Sequence, residues 1–210
     1  EDETASGPAP AAAPPAAFAR DLGSLVEAAL GNLVGSRIQA KDFRGARAIL
    51  VARRSLLEKT AGAEAAAALD LRIGEAELAD TAMRLPFQEA LAAADRALAG
   101  GNTSTSRWEE LVAYLYGSEA NRLAAAGELL AAARVADRGA ATVPARAGVL
   151  TRFADDLRHA FAAKSHNEFA RLYNAKKYPE ALKAVQAALE LLPKDPTLLA
   201  DLETARRAAP

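Results

Sequence analysis

One five-point spacing occurs three times in this chain: a large apolar residue, a small one beside it, then marked positions at +3, +8 and +11 from the small residue. It reads Val34-Gly35, Ile38, Phe43, Ala46; Leu78-Ala79, Ala82, Phe87, Ala90; and Phe169-Ala170, Tyr173, Tyr178, Ala181. No single helical or strand period generates +3, +8 and +11, so each set must bridge two elements. A small residue on one helix admits a second helix closely, an alanine on the second accepts that contact, and the aromatic between them opens the second helix. Helix pairs of this kind bury too little apolar surface alone, and therefore stack.

Composition narrows the class further. Alanine is abundant and aromatics are only 5% of the 210 residues, which suits narrow gaps between helices. Few segments alternate as a strand requires, so an all-α chain is expected. With 26 basic and 27 acidic residues, nothing favours nucleic acid as a partner. The absence of cysteine removes disulfides and thiolate metal sites. No apolar run approaches the roughly 20 residues that span a bilayer, so no direct membrane insertion is expected.

Residues 1–16 alternate proline and alanine after an acidic opening and read as a flexible linker; 17–210 read as a single helical domain. The linker either follows a removed signal or anchor, which implies the periplasm or cell envelope, or marks an arbitrary boundary, which leaves a cytoplasmic location open.

Punctuation along the chain divides it into paired helices starting near residues 18, 62, 104 and 145, a period in the low forties. Phe18, Leu22, Leu25, Val26, Leu33, Val34 and Ile38 form the first inward stripe; Leu69, Ile73, Leu78 and Met83 form another. Pro86 is expected in the first turn of its helix, and Gly100-Gly101 at its end. Ser106 with Glu109 reads as a capping box, Gly117-Ser118 as a break before a helix to about Arg138, and Gly139 to Val143 as a loop. Val149, Phe153, Leu157, Phe161, Phe169, Leu172 and Tyr173 then stay in phase, on one helix or two. Asp195 is placed to cap the last helix, with Pro196 in its first turn. The stretch Ser104 to Arg138 does not carry the recurring spacing.

The segment Phe169 to Pro193, with Ala170, Tyr173, Tyr178, Ala181, Ala188 and Pro193 at the small, aromatic and proline positions, resembles a tetratricopeptide repeat. The likeness is best over 165–196 and weaker over 62–99 and 18–58; Arg53 departs from it, and the hairpins exceed the family's repeat of about 34 residues. The resemblance implies a right-handed superhelical array of antiparallel helix hairpins, about four plus a C-terminal capping helix. Glu203 at the small position, with Asp201, Arg206 and Arg207, is expected to make that cap's outer face polar.

The same resemblance implies a protein or peptide partner on the concave face lined by first helices, and carries Lys164, Asn167, Arg171 and Asn174 over as partner-binding residues. The following helix presents Thr197, Ala200 and Asp201, an incomplete carboxylate clamp. No phosphate loop, nucleophile elbow or histidine-carboxylate cluster is present, so no catalytic residue, metal or cofactor is expected. Asp155 and His159 lack a third ligand; Trp108 reads as core; Asn102-Thr-Ser104, a glycosylation sequon by pattern, reads as a cap; Arg44, Arg47, Arg53 and Arg54 read as a solvated face. An interaction scaffold is thus expected, with an assembly subunit, including a homo-oligomer, or an apolar-ligand domain as alternatives.

Overall fold

The structure, a computed structural model, describes residues 16–208, with side chains from Arg20 onward. Apart from Ala16, the expected linker lies outside the described residues, as does the Phe18 side chain. Among the described residues the chain is all-helical, without strands: α1 Ala16–Gln39, α2 Phe43–Ala61, α3 Ala63–Ala82, α4 Phe87–Ala99, α5 Thr105–Ala125, α6 Leu129–Thr142, α7 Ala147–Asn174, α8 Tyr178–Leu191 and α9 Pro196–Ala208, with a short 3-10 turn at Pro144–Arg146 before α7.

The chain forms two compact units, one reaching to Arg84 and including Ala97–Thr103, the other formed by Leu85–Arg96 with Ser104 onward. In the first, α2 packs on α1 and α3, and α1 touches α3. Its core is Leu30 and Val34 of α1, Ala46, Leu50 and Leu57 of α2, and Ala65, Ala66, Leu69 and Ile73 of α3. In the second, each helix from α5 to α9 packs on the next, and α7 also touches α5 and α9. Phe87, Leu91 and Ala94 of α4 join Val112, Tyr116, Val143 and Leu150 in one of its clusters.

Three helix-to-helix turns share one backbone. After α1, Lys41 N–H donates to Ile38 O and Asp42 N–H to Arg37 O; after α5, Gly127 to Ala124 and Glu128 to Leu123; after α7, Lys176 to Tyr173 and Lys177 to Leu172, all at 2.9–3.0 Å. This double closure satisfies the last carbonyls of a helix and requires a left-handed residue. Lys41, Gly127 and Lys176 supply it, at φ 58°, 83° and 58°. The next residue starts the following helix, with φ, ψ of −90°, 67° at Asp42, −86°, 54° at Glu128 and −88°, 61° at Lys177. Its carbonyl accepts from Ala46, Ala132 or Ala181, each 0% exposed.

Spacing and turn therefore part company twice. At α5/α6 the turn is the same although the sequence pattern is lost: Leu129 and Ala132 stand at +8 and +11 from Asn121, a residue too polar to be recognised as the small position. At Leu78-Ala79 the pattern is present but the turn is not. Met83 N–H bonds Ala79 O, Arg84 N–H bonds Thr81 O, and Pro86 sits just before α4. Proline biases the residue before it toward extended backbone, so Leu85 does not take the left-handed place.

Several boundaries need correction. Gly117-Ser118 lies inside a continuous α5, since isolated glycine in a helix is tolerated. The cap of α5 is Ser104, whose Oγ accepts from Arg107 N–H at 3.4 Å, two residues before the expected Ser106. Gly139 is buried within α6, which continues to Thr142. Residues 147–174 are one helix. Asp195 caps α9 as expected, its Oδ1 accepting from Thr197 and Leu198 N–H at 3.0 Å.

Five residues expected to point inward are exposed: Leu22, Leu25, Leu33, Met83 and Val149. On α1 the three leucines occupy a stripe beside the one that holds Leu30 and Val34, a split that a single broad apolar face does not reveal. Asp201 departs in the other direction. It is 6% exposed and accepts from His166 Nδ1 of α7 at 2.8 and 3.0 Å, so it helps dock α9 instead of making the outer face polar.

Candidate functional site

Lys164, Asn167, Arg171 and Asn174 all lie on α7, and all are exposed. Arg171 is already engaged. Its Nε and Nη2 donate to both carboxylate oxygens of Glu168 at 2.9 and 2.7 Å, and that bond holds the Glu168 carboxyl below its ordinary range and raises the guanidinium. Across from them Thr197 and Ala200 are exposed while Asp201 is buried.

The second unit opens a groove elsewhere along the same helix, between α5 and α7. It holds about 1040 Å3. The 3-10 turn and α7 contribute Arg146, Gly148, Val149, Arg152, Phe153 and Asp156, and α5 contributes Glu110, Tyr114, Gly117, Ser118 and Asn121. The two walls run in the same direction, because Glu110 meets Arg146, Gly117 faces Leu150, and Ala120 clusters with Ala154.

One end is tied by Arg146 Nη2 donating to Glu110 Oε1 at 2.9 Å. Glu110 also accepts from Arg107 at 2.7 Å, and the two cations, Arg107 first, keep its carboxyl below its usual range despite partial burial. The middle is apolar, with Tyr114 56% and Val149 78% exposed. Toward the other end Asn121, Arg152 and Asp156 are exposed, and no hydrogen bond or ion pair occupies them among the described residues. Uncommitted polar groups beside an apolar floor are what a binding groove offers.

Other candidates are accounted for internally. Trp108 is half-buried beside the Val112 and Tyr116 cluster, and its indole donates to Asp95 Oδ1 at 3.0 Å. Asp155 is taken by Arg158 at 2.8 Å, and among the described residues no three His, Cys, Asp or Glu side chains gather as a metal site. Ser104 of the sequon serves as a helix cap. Arg47 is not simply solvated: it bridges Asp70 at 3.0 Å and Glu77 at 2.9 Å on α3, filling the polar wall of a second groove of about 510 Å3 in the first unit.

Sequence reasoning missed the α5/α7 groove. Val149 kept phase with buried residues, and Tyr114 fell outside every stripe. The usable signal was the loss of the repeat spacing between Ser104 and Arg138, which includes the α5 wall.

Compared with known proteins, the chain matches no family model, no curated protein and no solved structure. No described helix is long and apolar enough to cross a membrane.

Proposed function

We propose that this chain is a non-catalytic interaction scaffold whose α5/α7 groove receives a partner protein or peptide. The observation that carries this reading is the pair of uncovered apolar side chains, Tyr114 and Val149, flanked by the unengaged Asn121, Arg152 and Asp156. A tetratricopeptide-like array of hairpins within each unit is the finer fold reading. It is supported by the turn repeated at Lys41, Gly127 and Lys176 and by packing between next-but-one helices, α1 on α3 and α7 on α5 and α9.

On this reading the exposed face of α7 from Val149 to Asn174 is continuous with the groove, so Lys164, Asn167 and Asn174 extend the contact surface beyond it. Affinity capture from the native source tests the proposal by comparing wild type with a Tyr114→Ser, Val149→Ser double variant. Capture lost only in the variant, with unchanged helicity, is the expected result. Equal recovery of the same partners by both proteins removes the groove from consideration.

A further inference from the structure

The α7 wall of the groove continues as an exposed stripe with alternating spacing: Val149, Arg152, Asp156, His159 and Ala163. Arg152 and Asp156 lie one helical turn apart, about 40° apart around the axis, yet they form no ion pair with each other or with any described residue. By contrast, nearby Arg158 binds Asp137 and Asp155, and Arg171 binds Glu168. An arginine preceding an aspartate by four residues is the less favourable order for pairing within a helix. Both charges therefore remain available to something else.

Their arrangement is self-complementary. Arg152 and Asp156 stand two residues either side of position 154 and only about 40° apart, so one flank carries both. When two copies of a helix lie antiparallel about a two-fold axis, each flank faces the same flank of its copy, and residue i meets j while j meets i. Arg152 then comes level with Asp156 of the second copy, twice. Small residues along this face permit close approach: Ala160 and Ala163 are exposed, and a Cβ added at Gly148 would meet nothing within 4 Å.

We propose that the groove face is an isologous dimer interface whose occupant is a second copy of this chain. This rests on the reading of the groove as a contact surface, and names the partner. Light scattering of the full chain across a concentration series tests it with Arg152→Asp, Asp156→Arg and the double exchange. Wild type is expected to dimerise, and each single reversal to weaken dimerisation more than about tenfold by bringing like charges together. The double exchange restores it.

A wild type that stays monomeric at every concentration overturns the proposal, as does a dimer indifferent to both single reversals. Partner capture that depends on Tyr114 and Val149 in a monomeric chain also overturns it, while leaving the groove reading intact. Circular dichroism of each variant confirms that exposed-site changes have not altered the fold.

Discussion

A Cβ built on Gly139 would lie 2.6 Å from Tyr116 Cβ and 3.0 Å from Leu150 Cδ1, and one on Gly23 would lie 2.3 Å from Thr60 O. Gly139→Ala or Gly23→Ala is expected to cost about 1–3 kcal/mol through forced displacement, read as a fall in melting temperature. Gly35 behaves differently: its nearest neighbour is the mobile end of Arg72 at 3.3 Å. Gly35→Ala should be close to neutral, whereas Ala181→Trp, at a site 0% exposed, should abolish the cooperative melt. The alanines at +11 were thus correctly readable as contact points from the sequence. Gly139 and Gly23 were not, because the spacing does not include them. Asp80 adds a pH test. Its bond from Lys41 at 2.6 Å, with Arg84 also in contact, holds the carboxyl below the ordinary range against the opposing effect of burial. A lowered folded value stabilises above the unfolded pKa of about 3.9 and is lost as pH falls below it. Asp80→Asn should therefore flatten the decline of stability in acid, measured by denaturation as a function of pH.

Between elements, what the turns require is a left-handed residue followed by a helix start, and side-chain identity is secondary. Lys41 and Lys176 occupy that place at φ 58°, where a Cβ is disfavoured by roughly 1–2 kcal/mol. Lys176→Gly is expected to leave stability unchanged or raise it by about 1 kcal/mol. Lys41→Gly should fare worse, because it also removes the Asp80 contact; thermal melts of the two variants settle the comparison. This explains why the sequence was a partial guide. Helix type, the end at Gly101 and the start at Asp195 were legible from local chemistry. The α5/α6 turn was not, because Gly117 looked like the breaker and Gly127 performed that role.

For the molecule as a whole, the all-α class followed from composition and periodicity, but the groove depended on which of several apolar residues remained uncovered, and that is decided by neighbours distant in sequence. Charge reversal at Lys164, with Arg171 left in its Glu168 pair, should lower partner capture by less than loss of Tyr114 and Val149 does, because exposed charges contribute modestly; parallel pull-downs check the ranking. The repeated turn carries a further consequence. Since its geometry is written in main-chain hydrogen bonds, residues 37–46 and 123–132 are interchangeable parts of equal length, and a chimera exchanging them should keep its helices. Kinship among such chains would then be traceable through connector geometry long after the surrounding side chains had diverged.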